Sequence, residues 1–338
     1  MSFEIGIEGV VVGHSTNRAD GTGCTVIVVP GGAVASLDVR GGAPGTRESD
    51  ILSPYSSVGE LHAVLLTGGS AFGLAAADGV VAYLEEQGHG YQTPFGRVPL
   101  VAAAVIYDLG LGYAHIRPRM EDGYRAAAGA SALVEEGCVG VGTGATVGKI
   151  LGDEGWMKAG FAATGVRLPS EASVCAFTVV NAFGDVVAED GSVLAGALVD
   201  YVGGEPGVAP TCFLDTHAYL MTLRDHPRFN ANAEHTTLSV VVTDAALSKI
   251  ECSQVARMAH DGLARAISPV HTPVDGDAIF VLSTGSAPSN VFQLGTAAAD
   301  AVAAGIRRAV RLAEGLHGVP SLQDLRGGGT RAPAEDQG

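Results

Sequence analysis

The sequence predicts a layered α/β domain in which one sheet packs against another, and three observations lead there. Short Val- and Ile-rich segments separated by Gly- and Asp-bearing turns open the chain and return near its end, as strands do. Longer stretches, Leu247 to Ile267 and Asn290 to Leu316, carry apolar residues at helical spacing. The two kinds of segment do not alternate as strict βαβ units, which favours sheet-on-sheet packing over a doubly wound fold.

Taken in order, Val10 to Val12, Thr25 to Val29 and Val34 to Val39 read as strands, with Ala19-Asp20-Gly21 as a turn. His62 to Thr67 is a further strand. Gly68-Gly69-Ser70 then leads into a helix from Ala71 to Gln87, stopped by Gly88. Val101 to Leu109 fits either state. The alanine-rich run Tyr124 to Glu136 predicts a helix ended by Gly137, and Val139 to Lys149, mostly glycine and small residues, predicts a loop whose backbone approaches another segment closely. Ser173 to Asn181 is a strand, which Gly184-Asp185 turns back onto a partner at Val186 to Ala188. Leu194 to Glu234, with Pro206, Pro210 and Pro227, predicts an exposed connector. A strand follows from Leu238 to Thr243, and another from Ala278 to Leu282 after Asp275-Gly276-Asp277. Nothing marks a linker, so residues 1–326 are expected to form one domain, with 327–338 a disordered Gly-, Pro- and charge-rich tail.

Composition excludes several functions. In 338 residues, 47% are hydrophobic and only 17% charged, enough apolar material for a large core and for surface hidden between subunits. The formal net charge of -16, from 36 acidic and 20 basic residues, opposes approach to nucleic acid or anionic membranes. Five cysteines without C-x-x-C spacing imply reduced, mostly buried thiols. Met1-Ser2-Phe3-Glu4-Ile5 lacks the basic segment of a signal peptide, and no apolar run is long enough to span a bilayer. A soluble cytoplasmic protein is expected.

Most isolated motifs fail on their own chemistry. Gly142 to Lys149 invites a phosphate-loop reading, but Thr143 stands where the first glycine is required and Ile150 where a magnesium-binding hydroxyl is required. Gly68-Gly69-Ser70-Ala71-Phe72-Gly73 has Phe72 where a serine nucleophile elbow needs glycine. The ten histidines form no metal-binding helix pair, and Asp275-Gly276-Asp277 lacks the further acids of a calcium loop. Neither a metal nor a cofactor is expected. One stretch offers more: in Glu234-His235-Thr236-Thr237 a hydroxyl residue opens a β-branched strand behind a long irregular stretch, where a chain could cut itself and expose an N-terminal threonine.

Read together, five ordered motifs carry a resemblance. They are Leu66 to Gly79, Gly142 to Lys149, Val180-Asn181-Ala182-Phe183-Gly184-Asp185, Thr236-Thr237, and His271-Thr272-Pro273-Val274-Asp275-Gly276-Asp277. From about Gly9 to about Leu316 the chain resembles the DmpA-type aminopeptidase and nylon-oligomer hydrolase family of self-processing amidohydrolases, and in its threonine and Asp-Gly-Asp the nylon-hydrolase branch. The resemblance implies a four-layer α/β/β/α sandwich, like that of the ornithine acetyltransferases, cut between His235 and Thr236 into chains 1–235 and 236–338.

Residue by residue, it implies Thr236 as nucleophile, Asn181 as oxyanion donor, Lys149 as a cation beside the nucleophile and Tyr107 as a pocket phenol. Asp275 and Asp277 would orient the amine and the threonine. The chemistry stands by itself: an α-amine titrating at about 7.7 to 8.0 can take the hydroxyl proton, so one residue supplies nucleophile and base. Relatives carry asparagine or glycine where this chain has His235, but the acyl shift consumes only that residue's carbonyl. The implied substrates are small peptides, amino-acid amides or oligoamides, and the implied assembly is a homotetramer of cleaved units. Two other readings compete: an acyltransferase of ornithine acetyltransferase type, and an unprocessed, non-catalytic homologue.

Overall fold

A computed structural model describes residues 2–199, 213–224, 235–288 and 290–326. The tail 327–338, Glu234 and the connector residues 200–212 and 225–233 lie outside the described residues. The main strands are β1 (Val11–Asn17), β2 (Thr22–Val39), β3 (Thr46–Arg47), β4 (Leu61–Thr67), β5 (Val101–Val105), β6 (Phe161–Arg167), β7 (Ser173–Asn181), β8 (Thr236–Ala245) and β9 (Ala278–Ala287). The helices used below are α1 (Ala77–Glu86), α2 (Met120–Ala128), α3 (Thr216–Thr222), α4 (Lys249–Ala266) and α5 (Val291–Leu312).

Two sheets share one strand. The hydrogen-bonded order is β6-β7-β8-β9-β2-β4-β5-β3, with β1 also on β2. Residues 22–28 of β2 pair with β1 and β4, and residues 34–39 pair with β9. Between the halves lie Pro30-Gly31-Gly32, with Gly32 at a φ of +79° and a register shift against β4. The two strands expected at 25–29 and 34–39 are thus one strand that crosses from sheet to sheet.

Alternation along the strands decides which layer each face meets. Val26, Val28, Ala63, Leu65, Val101 and Ala103 point to one side, where they pack with Ala77, Val80 and Leu84 of α1 and with Ala126 and Ala127 of α2. Their neighbours Ile27, Val29, Val64, Leu66, Ala102 and Ala104 face the other way, into the core shared with the second sheet. Helices α4 and α5 cover that second sheet, and Thr164 Oγ1 donates to Ala301 O at 2.8 Å across the contact. The result is helices, sheet, sheet, helices, as the resemblance implies.

Local chemistry sets the helix ends. Ser248 Oγ accepts from Glu251 N, and Glu251 Oε2 accepts from Ser248 N, a capping box that starts α4. Asn290 Oδ1 accepts the amides of Phe292 and Gln293 at the start of α5. The predicted Ala71 to Gln87 helix is tight 3₁₀ over Ser70–Ala76 and α only from Ala77.

Three expectations are corrected. The alanine-rich run is helical only to Ala128, because Ser131 exchanges backbone bonds with Val12 and Leu133–Glu135 pairs with Ser2–Glu4, so sheet pairing overrides helix propensity. Asp185–Val187 does not fold back on β7, whose two edges are taken by β6 and β8, and pairs instead with Val193–Ala195 and Ile267–Ser268. The described parts of the 194–234 connector are ordered, with Ala197–Leu198 paired to Phe213–Leu214. Buried Asp185 there accepts from Ala197 N and from both Thr216 N and Oγ1.

α1 and α2 meet through reciprocal glycines: a Cβ on Gly79 would collide with Met120 O, and one on Gly123 with Ala76 O. Gly123→Ala is therefore expected to lower stability by about 1–3 kcal/mol through overpacking, read as a shift in the denaturant midpoint.

Candidate active site

Three strand ends converge. β8 begins at Thr236, β7 ends at its register partner Asn181, and β5 ends at Val105, two residues before Tyr107. On the other flank of β8 the parallel register with β9 continues from Leu238–Ala278 to His235–Asp275 without a slip. That register brings Thr237 N to Asp277 Oδ1 (2.7 Å), His235 N to Val274 O (2.8 Å) and Gly276 N to His235 O (2.6 Å).

Thr236 is buried, and its Oγ1 donates to the carbonyl oxygen of His235 at 2.5 Å. One carbonyl oxygen thus takes both the threonine hydroxyl and the Gly276 amide. A Cβ at position 276 would stand 2.7 Å from Thr236 Oγ1, so glycine is what allows this turn to reach the hydroxyl.

Asn181, also buried, is fixed by its neighbours. Its Oδ1 accepts from Lys149 Nζ (2.7 Å) and Thr146 N (3.1 Å), and its Nδ2 donates to Tyr107 O (3.0 Å). Two donors on one side and an acceptor on the other define the amide orientation, and one Nδ2 hydrogen stays uncommitted to these contacts. Tyr107 enters the site through its carbonyl, which accepts from Asn181 Nδ2.

Lys149 Nζ also donates to Asn181 O at 3.1 Å. Burial pulls its ammonium down to about 7, against the opposing pull of the Asp275 and Asp108 carboxylates. Asp275 accepts from Phe183 N (3.2 Å), Thr272 N (3.1 Å) and Thr272 Oγ1. Burial and then the neighbouring Asp277 charge push its pKa above the ordinary carboxylate range. Asp277 Oδ2 accepts from His271 N (3.1 Å) and pairs with His271 Nδ1 (2.8 Å).

The His235 ring lies 5.5 Å from the Phe183 ring, centroid to centroid, at 36°. Burial, and then the Lys149 charge, lower it to about 2, so the imidazole is neutral. The six residues expected to be catalytic thus gather in one place: Lys149 and Tyr107 bond to Asn181, the register partner of Thr236, while Asp277 holds Thr237 N and Asp275 pairs with His235.

Sequence reasoning missed the supports. Lys158, fully buried, donates to the carbonyls of Ala145 (2.7 Å), Ala159 (2.8 Å) and Gly142 (3.3 Å), using all three ammonium hydrogens to hold the glycine-rich segment. Its one sequence signal is a lysine alone in an apolar run. Asp108 accepts from Thr22 Oγ1 (2.7 Å) and Gly69 N (2.6 Å). An open groove of about 830 Å³ between β6 and α5, lined by Val166, Leu168 and Phe292 among others, contains none of these residues.

Residues 5–322 match the family described as peptidase family S58. The chain belongs to peptidase family S58. S58 relatives include an uncharacterized aminopeptidase of Mycobacterium bovis, 39% identical over 342 residues covering 94% of this chain and 96% of that one. Another is a 6-aminohexanoate-oligomer endohydrolase of Agromyces sp., 32% identical over 278 residues covering 82% and 73%. The fold matches the Burkholderia sp. beta-aminopeptidase at a TM-score of 0.67 and 22% identity, over 96% of this chain and 94% of that one. It matches the L-aminopeptidase D-Ala-esterase/amidase of Ochrobactrum anthropi, described as a variant of the Ntn hydrolase fold, at 0.68 and 18%, over 95% and 92%. S58 membership makes the chain a hydrolase of the aminopeptidase and amidase type. Among the described residues no helix is long and apolar enough to cross a membrane.

Burial raises Asp108 from 3.8 to about 6. As pH rises through that window the unfolded chain ionises before the folded one, so the folded state binds more protons and Asp108 makes stability fall. Asp108→Asn is expected to flatten that fall between pH 3.8 and about 6, measured by chemical denaturation across the window.

Proposed function

We propose that this S58 protein is a self-processing amidohydrolase that cuts between His235 and Thr236 and then uses the N-terminal threonine to hydrolyse small peptides, amino-acid amides or oligoamides. The observation that carries the reading is the His235 carbonyl oxygen, which receives Thr236 Oγ1 at 2.5 Å and Gly276 N at 2.6 Å. A nucleophile and an oxyanion donor already flank the bond to be cut.

In the proposed cleavage Thr236 Oγ1 bonds to the His235 carbonyl carbon, and charge develops on an oxygen held by the Gly276 amide. Lys149, whose ammonium burial brings down to about 7, can in its neutral form take the hydroxyl proton, which ends on the departing Thr236 nitrogen as the C–N bond breaks. Water then attacks the ester, giving a His235 carboxylate and restoring the threonine hydroxyl. Cutting is also activation, because an amide nitrogen is no base and the free amine is one.

In turnover the amine takes the Oγ1 proton and gives it to the substrate's departing amine as the amide C–N bond breaks and Thr236 is acylated; water then cleaves the ester, releasing the acid and restoring the hydroxyl. The spare hydrogen of Asn181 Nδ2 supports its role as oxyanion donor, where loss of one donor costs about 100- to 1,000-fold in rate. Asp275 and Asp277 orient the amine and the backbone at Thr237, Lys149 tunes the amine's proton affinity, and Tyr107 fixes Asn181 from behind. The names of the relatives, aminopeptidase and 6-aminohexanoate-oligomer endohydrolase, support amides of amino acids and linear oligoamides as the substrate range.

Denaturing mass analysis is expected to find fragments Met1 to His235 and Thr236 to Gly338 in the wild type and one intact chain in Thr236→Ala. Amide turnover by the variant is expected to fall by at least about 1,000-fold. A wild-type chain that stays intact yet turns over amides would sink the proposal.

A further inference from the structure

Self-cleavage and turnover pass through the same covalent bond. In the first, Thr236 Oγ1 is esterified by the carbonyl of His235; in the second, by the carbonyl of the substrate. An acyl group bonded to the same oxygen, with its carbonyl oxygen on the same Gly276 amide and the spare Asn181 Nδ2 hydrogen as a further donor, has to extend into the same space. The uncut chain therefore displays, in residue 235, an acyl donor already bound.

Its contacts define a complete subsite. The His235 carbonyl takes the Gly276 amide, and its N–H donates to Val274 O at 2.8 Å, as in one step of a parallel sheet ladder. An acyl donor with an N–H on its α carbon finds both partners in place. The side chain lies against Phe183, which with Ile150 and Ala197 forms a small apolar cluster separate from the main core, packed by Val274, Tyr219 and Leu220.

The subsite is built for a neutral group. His235 Nδ1 is buried and has no hydrogen-bond partner among the described residues. Lys149 lies close enough for its charge to weigh against protonation of that ring, and burial weighs against it more. A cationic side chain would meet both penalties, and a glycine would leave the Phe183 face uncovered.

We infer that the space holding the His235 side chain before cleavage is the acyl-binding subsite of the mature enzyme, and that Phe183 makes it select amides of α-amino acids with planar or branched, uncharged side chains. The inference rests on the proposed cleavage at Thr236 and adds what the active site then accepts. Phe183 is a specificity residue here: it touches the acyl side chain, while its backbone N–H holds Asp275.

The test compares two rankings. Full-length His235→Phe, His235→Leu, His235→Gly and His235→Lys chains are followed for conversion into fragments. The mature wild-type enzyme is assayed for kcat/KM on phenylalanine, leucine, glycine and lysine amides. Both series are expected to place Phe and Leu above Gly and Lys by about 10-fold or more, the size of effect an apolar pocket produces. Phe183→Ala is expected to lower the phenylalanine-to-glycine ratio by about 10-fold. Phe183→Leu, which keeps the bulk should the alanine variant misfold, is expected to move preference from phenylalanine towards leucine amide. Rankings that disagree, or a ratio indifferent to Phe183, overturn the subsite while leaving a working self-cut amidase. A wild-type chain that never cuts overturns the cleavage proposal and the subsite with it.

Discussion

The register of β8 between β7 and β9 is the constraint on which the rest of the site depends. With Asn181 opposite Thr236 on one side and Asp275 opposite His235 on the other, the backbone contacts of His235 follow from ordinary strand pairing, and they place the side chains that meet at the His235–Thr236 bond. A slip of one residue would turn Thr236 to the opposite face of the sheet and remove the hydroxyl from the Asp275–Asp277 turn. The buried hydroxyl pair of Ser239 and Thr178, 2.9 Å apart across β7 and β8, would be broken by such a slip. The core that holds the fold together is thereby also the device that aims the threonine.

Around this register stands a set of buried charges, each costly to remove from water and each held by several donors or acceptors. Buried charges account for part of the glycine content of residues 139–149, and close backbone approach for the rest, since a Cβ at Gly142 would meet Phe161 N and one at Gly148 would meet Ala197 N. Lys158 gathers the carbonyls of Gly142 and Ala145, while a Cβ at Gly144 or Gly68 would run into the Asp108 carboxylate. The segment resembles a phosphate loop because both must bring backbone close to a charge. In this chain the charges are its own, and the segment presents the Thr146 amide and Lys149 to Asn181.

Much of the fold was legible in the sequence, because alternation and helical spacing report burial directly. β4, β7 and α4 stand close to where the patterns place them. What failed was non-local: nothing near Tyr124 to Glu136 announces that Leu133–Glu135 will pair with the N-terminal strand, and nothing near Val186 announces that both edges of β7 are taken. Pro30-Gly31-Gly32 reads as a turn between strands, whereas here it bends a single strand across two sheets. For the site, the residue types were visible only as an ordered set, since a lone asparagine or lysine carries no signal of its own. The contribution of Tyr107 through its carbonyl, and that of Lys158 through three carbonyls, lies in backbone geometry that side-chain identity does not encode.

Electrostatics ties the proposed cut to the proposed catalyst. In the uncut chain the nitrogen of Thr236 is a neutral amide, and Asp275 and Asp277 face each other's charge in a buried turn, which together with burial holds Asp275 above the ordinary carboxylate range. Lys149, the cation acting on Asp275, is itself weakened by burial. Cleavage would turn the amide into an amine within this anionic corner. Unit charges about 4 Å apart interact by about 4 kcal/mol at an effective dielectric of about 20, so a protonated amine there offsets a repulsion of the same order. In the proposed cut form the amine would meet carboxylates where the uncut chain has only an amide, a difference that would favour the proposed processing. The two carboxylates raise the proton affinity of the new amine and Lys149 lowers it. Opposed fields of this kind can hold the amine near its ordinary value, where it can take a proton from the threonine and give it to a leaving group within one catalytic cycle.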